Sequence, residues 1–294
     1  MNTSLKTFYI ILLFLLYNFS CFSQEIKSSF KGGEWFEFRI YYGIFNASYA
    51  SLELSKDTIR KIPVFHAKGY GKTTGLARLF FKVEDYYESY FSIKKNQPLL
   101  FKRNIYEGGY TKNVEIIFKH QNKLAEVNDK KKKTKNTFTI KQNTQDLISA
   151  FYYLRNFYPN ELIKKNESFS INMFFDNENY VFKLKYLGKQ VLQTKFGNIR
   201  CLKFRPIVQS GRVFREEESV TLWVSDDRNK IPVRLQADLF IGSIKADLEN
   251  YKNLKYPLLV SFNWNILFIT CWITFFMFVV ALPLFIDIWE SKFH

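Results

Sequence analysis

A chain of 294 residues with 43 Lys and Arg against 27 Asp and Glu carries a formal net charge of +16. Its three cysteines are too few and too scattered for a disulfide framework, so burial alone has to hold a chain of this length together. The charge points to an anionic surface such as lipid headgroups or lipopolysaccharide, and without a nucleic-acid-binding motif no nucleic-acid partner is expected.

Residues 1–23 read as an export signal: a polar start holding Lys6, an apolar run over 7–19 too short to span a bilayer, and small residues before Gln24. Cleavage after Ser23 is the simplest reading. Lipidation of Cys21 is the rival, weakened by Asn18 where such a signal wants Leu or Val. After cleavage Cys201 stands alone in the exported domain, expected over 24–252.

From 33 to 56, apolar residues recur at period two on both sides of Gly43 and Asn46, which predicts a β-hairpin. A strand follows over 63–70, and Leu76, Leu79 and Phe80 fit a short helical turn. Strands over 83–93 and 99–106 flank a polar turn before Pro98, and 110–118 and 123–127 form a further hairpin. Lys130, Lys131, Lys132 and Lys133 sit in a charged loop, either as a solvated tip or as contacts to an anionic surface. After a short strand at 138–140 comes the one convincing helix: Thr144 can cap it, Asp146 suits its positive end, and Leu147, Ile148, Phe151, Leu154 and Arg155 keep helical spacing until Pro159.

Strand patterns return over 168–175, 180–186, 190–195, 198–204, 219–224, 231–237 and 243–248. Two hairpins share a plan, a polar turn, a proline and then a glycine, with Pro98 and Gly108 in one and Pro232 and Gly242 in the other. The pattern predicts a mainly β fold: a curved antiparallel sheet forming a partial, open barrel on one packed helix. The segment 256–288 is nearly free of charge, and 264–286 is long and apolar enough to be a transmembrane-like helix, a membrane anchor or an appended extension. As an anchor it would run against the positive-inside tendency, with Lys252 and Lys255 outside.

Chemistry-bearing patterns are sparse. His66, His120 and His294 lack metal-ligand spacing, and there is no nucleophile elbow, P-loop or dinucleotide fingerprint, so no metal, cofactor or catalytic residue is expected. Carboxylates such as Asp85, Glu88 and Glu107 leave a hydrolase of envelope glycans open as an alternative. The 32 Phe and 18 Tyr supply either a thick core or an apolar pocket, with Tyr152, Arg155 and Trp223 as pocket candidates. Arg155 could instead form a salt bridge to a neighbouring strand.

Three stretches together carry a resemblance. They are Gly33-Glu34-Trp35-Phe36, running on to Gly43; Asp146-Leu147-Ile148-Ser149, running on to Arg155; and Leu222-Trp223-Val224-Ser225-Asp226-Asp227, running on to Ile231-Pro232-Val233. With Glu107-Gly108 and Thr194-Lys195-Phe196-Gly197, they resemble the exported bacterial family known as domain of unknown function 3108, over about residues 30–250. That family has no assigned activity. The resemblance implies an envelope address, periplasmic or at the outer membrane of a Gram-negative bacterium. The third stretch is also similar, at fold level only, to periplasmic lipoprotein carriers of the LolA type, which are incomplete β-barrels with an apolar cavity. The expected function is non-catalytic binding of a lipid-like or other apolar ligand, with a scaffold binding protein or lipopolysaccharide as a second reading.

Overall fold

The computed structural model describes residues 28–157, 164–207 and 219–261. Eight strands form a first meander: β1 (Trp35–Tyr42), β2 (Phe45–Ile59), β3 (Ile62–Thr73), β4 (Val83–Ser92), β5 (Pro98–Glu107), β6 (Tyr110–Lys119), β7 (Leu124–Asp129) and β8 (Thr134–Thr139). A short helix, α1 (Gly75–Phe80), interrupts it between β3 and β4, and α2 (Leu147–Phe157) follows it. Six strands form the second: β9 (Ser168–Phe175), β10 (Glu178–Thr194), β11 (Gly197–Ile207), β12 (Val220–Ser225), β13 (Pro232–Asp238) and β14 (Ser243–Lys252).

The two meanders merge into one antiparallel sheet of 14 strands because β1 pairs with β14 as well as β2, which leaves β8 and β9 as its edges. Those edges curl toward each other without a shared ladder. Phe174 of β9 packs on Phe138 of β8, their ring centroids 5.6 Å apart, and Asn179 donates to the Thr139 carbonyl at 2.7 Å. The chain entering α2 pairs with β9 in parallel, Gln145 N donating to Asn172 O and Phe174 N to Gln145 O. The sheet is therefore an open, barrel-like wrap around α2.

Alternation along the strands decides what faces α2. Leu54, Ala67, Phe101, Ile116 and Val127 lie level on the concave face and pack with Ile148, Tyr152 and Phe174. Gly69 lies directly under α2: a Cβ there would already be in van der Waals contact with Ile148 Cδ1 at 3.6 Å, so a larger side chain has no room.

Several local expectations change. β10 is one strand of 17 residues rather than two, because Gly188 (φ +115°) marks a bulge where the β11 register shifts instead of a turn. β2 and β3 meet in a tight turn through Arg60 and Lys61, both at positive φ, without the glycine that signals such turns. The repeated hairpin is real in its geometry: each has a register shift one residue before the position facing its proline, at Tyr90/Phe91 opposite Pro98 and at Trp223/Val224 opposite Pro232.

The fold expectation is corrected on helices. There are two among the described residues, of 6 and 11 residues, and neither is long and apolar enough to cross a membrane, which takes about 20 residues. The expected transmembrane-like helix, and with it the assignment as a membrane chain, is not carried forward. Residues 264–286, like the signal 1–23 with Cys21, lie outside the described residues. The start of the uncharged stretch, 256–261, is extended chain tied to the domain: Leu258 and Val260 pack on buried Cys201, Ile199 and Val233, and Ser261 exchanges backbone hydrogen bonds of 2.9 and 2.8 Å with Asn198.

Candidate functional site

The three stretches that carry the resemblance converge on one buried cluster. Glu34, just before β1, is fully buried and meets Arg155 of α2 in a two-pronged ion pair: Arg155 Nη2 donates to Oε2 at 2.8 Å, and Nη1 to Oε1. Arg155 Nε donates to the Asn229 carbonyl at 3.0 Å and Nη2 also reaches the Ser29 carbonyl at 3.3 Å. The rings of Phe30, Phe36, Phe151 and Tyr152 surround the guanidinium at 5.3–5.6 Å. The β12–β13 turn is shaped by Asp227, whose Oδ1 accepts from Ser225 Oγ, Asn229 N and Lys230 N. The Asn229 side chain then clamps the C-terminal segment, accepting from Tyr256 N and donating to Tyr256 O, both at 2.9 Å. This hub ties four remote parts of the chain together. Its donors are spent internally, which marks it as structural.

The start of α2 is equally built. Asp146, rather than Thr144, is the cap: its Oδ1 accepts from the backbone of Ile148 and Ser149 at 2.8 and 2.7 Å, its Oδ2 accepts from Ser89 Oγ of β4 at 2.6 Å, and its own N–H is returned to Ser149 Oγ. Thr144 instead donates to the Lys141 carbonyl. Burial pushes the Asp146 carboxyl up to about 6, the donors only partly opposing it. A carboxyl that holds its proton more tightly folded than unfolded adds stability that is full below its ordinary value of 3.8 and lost as pH rises through about 6. Asn retains the cap and cannot ionise. We expect the melting temperature of the protein, relative to Asp146→Asn, to fall between about pH 4 and 6 and level off above. A pH-independent difference in melts followed by circular dichroism would contradict this.

The candidates from sequence do not form one pocket. Tyr152 is fully buried among Phe30, Phe91 and Phe151, so it is core. Its hydroxyl has no hydrogen-bond partner, which costs free energy. Tyr152→Phe should therefore leave stability unchanged or raise it by up to about 1 kcal/mol, measured by urea unfolding. A loss beyond about 1 kcal/mol would reveal a bond to the hydroxyl. Trp223 faces away from the concave side, donating from its indole to Gln190 at 3.0 Å, with Lys203 over its ring. Lys130 to Lys133 form the β7–β8 turn at the sheet end where β1 finishes. There Lys130 pairs with Glu115 at 3.0 Å and Lys131 reaches Thr111. Glu34 and Asn229 were missed as partners of Arg155, although both lie within the quoted stretches.

The concave face is open beyond α2. A Cβ on Gly71, two residues on from Gly69 and on the same face, would meet nothing within 4 Å. Its cross-strand neighbours Ala50 and, one row over, Ala246 keep the floor low. Around it Phe38, Ile40 and Leu222 are half-buried, while Leu235 and Ile244 are 42 % and 40 % exposed. A cavity of about 90 Å³ runs from this face under α2 between Phe151, Leu154, Leu184, Leu202, Phe204 and Leu222, and Arg155 and Lys230 supply its polar lining. Asp85 stands on the same face. Burial, and the negative charge of Glu107 on the facing strand, push its carboxyl up to about 6. On the opposite, convex face a groove of about 740 Å³ lies between the β2–β3, β4–β5 and β6–β7 turns. Among the described residues no cluster of His, Cys, Asp or Glu could hold a metal ion, and burial pushes the Cys201 thiol up to about 12, leaving it a packing residue.

Among solved structures the chain is similar to a β-barrel-like protein of domain of unknown function 1849 from Brucella abortus, at 9% identity and a TM-score of 0.48, covering 74% of this chain and 96% of that one. It is also similar to a protein of the family of unknown function 1089 from Pseudomonas aeruginosa (9%, TM-score 0.32, 74% and 97%) and to a candidate exported protein with a YmcC-like fold from Bacteroides fragilis (8%, 0.30, 77% and 100%). No curated protein matches the chain. A family model described as protein of unknown function DUF3108 matches residues 37–249, nearly the whole of the sheet, and the chain belongs to that family.

Proposed function

We propose that the protein is a non-catalytic component of the bacterial cell envelope that holds a lipid-like or other apolar ligand on the concave face beyond α2. The observation that supports this best is the end of the helix's cover between Gly69 and Gly71, which leaves a low, small-residue floor with half-buried apolar walls. The 90 Å³ cavity under α2 is well below the roughly 300 Å³ of a typical ligand site, so it takes only the end of a chain lying along the open face. Arg155 is committed to Glu34 and is not the ligand's anion partner. The export signal over 1–23 supports the envelope address.

The hydrolase alternative finds its nearest pair in Asp85 and Glu107. Both sit on adjacent paired strands, β4 and β5, rather than on opposite sides of a cleft, which argues against that reading. The test is organic extraction of protein purified from the envelope, followed by mass spectrometry. An acyl-chain compound in near-stoichiometric amount is expected. A ligand-free protein that also takes up no fatty acid would overturn the reading and favour a scaffold that binds protein or lipopolysaccharide through its basic surface.

A further inference from the structure

The end of the sheet at which the concave face opens is ringed by apolar side chains that pack on nothing. The β1–β2 turn carries Ile44, 90 % exposed, and Phe45; α1 carries Leu79 and Phe80, 80 % and 86 % exposed; the β13–β14 loop carries Phe240 and Ile241, the former fully exposed. The three segments are contiguous, because β13, β14, β1, β2 and β3 are consecutive in the sheet. They are also joined directly: Tyr42 donates from its hydroxyl to the Ile241 carbonyl at 2.9 Å, and Thr74, the residue before α1, donates its N–H to Ala47 O at 2.9 Å. The rim is held in place. Phe81 lies so close over Gly108 that a Cβ there would overlap its ring. Helix α1 buries none of its residues, so its Leu and Phe side chains do not serve the fold.

Scattered exposed apolar residues are ordinary, but a contiguous rim on three elements marks an interaction surface. Its flanks are basic. Arg78 and Lys82 share one carboxylate, Glu84, at 3.5 and 3.7 Å, and the lysines of the β7–β8 turn stand at the same end. We propose that this rim docks on the surface of an anionic lipid bilayer, its apolar side chains entering the headgroup boundary and its cations facing the phosphates. No spanning segment is needed for that contact. A second copy of the chain fits less well, since like charges would face one another around the patch on molecules of +16 each. The proposal deepens the apolar-ligand reading by giving the ligand a source, and rests on that reading only for the purpose of docking.

The test is hydrogen exchange read by mass spectrometry on the full-length exported protein, with and without vesicles. Vesicles of mixed phosphatidylcholine and phosphatidylglycerol should slow exchange over 43–46, 75–81 and 239–242, and high salt should reverse the effect. Phe80→Ser combined with Phe240→Ser, both on exposed positions that leave the core intact, should abolish that protection and weaken vesicle affinity about tenfold. Unchanged exchange at the rim overturns the proposal even if a fatty acid binds the concave face. Equal protection by phosphatidylcholine alone, or protection that rises with protein concentration and no vesicles, overturns it too. Rim protection in a protein that takes up no fatty acid supports docking and removes only the ligand reading.

Discussion

Arg155→Met is expected to lower the free energy of unfolding by about 3–5 kcal/mol, the largest loss from any single substitution considered. The substitution keeps an unbranched apolar stem but removes the guanidinium that sits over Phe30, Phe36 and Phe151. It leaves the Glu34 carboxylate, wholly removed from water, without a counter-charge, and strands the carbonyls of Asn229 and Ser29. Removing both charges, Glu34→Met with Arg155→Met, should bring stability back to within about 2 kcal/mol of the starting protein, because no charge is then buried unpaired. Urea unfolding of the four proteins gives the coupling directly. A double variant that loses the sum of the two single losses would show that Glu34 and Arg155 act independently, contrary to the hub.

Gly71→Leu is expected to weaken binding of a fluorescent fatty acid such as cis-parinaric acid about tenfold or more while changing stability by less than about 1 kcal/mol. The new side chain would start from the open floor of the concave face, where a Cβ meets nothing within 4 Å. The same change two residues earlier gives the opposite split. Gly69→Leu drives carbons into Ile148 and should cost about 1–3 kcal/mol by overpacking α2, with a smaller effect on the fatty acid. If both variants bind as the parent does, the ligand does not lie where the helix stops covering the sheet.

Much of the sheet was legible because one face of most strands is buried, which writes period two into the sequence. Val114, Ile116 and Phe118 on β6 show that alternation directly. Where the sheet bends, the same signal misleads: the break expected between strands 180–186 and 190–195 is a bulge at Gly188 inside β10. Of β8 only the end was legible, in the strand expected at 138–140, because its six residues lie at an edge, mostly exposed, with little apolar alternation to betray them. The β1–β14 pairing joins residues more than 200 positions apart, and no local pattern encodes it.

The surroundings of the candidate residues were hidden for a related reason. Periodicity identifies an aromatic or an arginine on an apolar helix, but it does not say whether its partner is a ligand or another side chain. Tyr152 and Arg155 are interior residues whose partners, Phe30 and Glu34, come from a segment 121 or more residues earlier; Tyr152 is packed into the core, while Arg155 is paired with Glu34 at the edge of the small cavity under α2. Trp223 alternates with Leu222, and the inward face belongs to Leu222. The open floor is made by small residues, Ala50, Gly71 and Ala246, which carry no chemical signature at all.

The most direct test of an apolar site on the concave face is methyl NMR of the protein labelled at Ile and Leu, recorded while a long-chain fatty acid is titrated in. The account predicts shifts concentrated at Ile40, Leu222, Leu235 and Ile244, with Leu54 and Ile116 beneath α2 unmoved. Shifts confined to the convex groove around Ile62, Leu100 and Ile117, or none at saturating fatty acid, would contradict it.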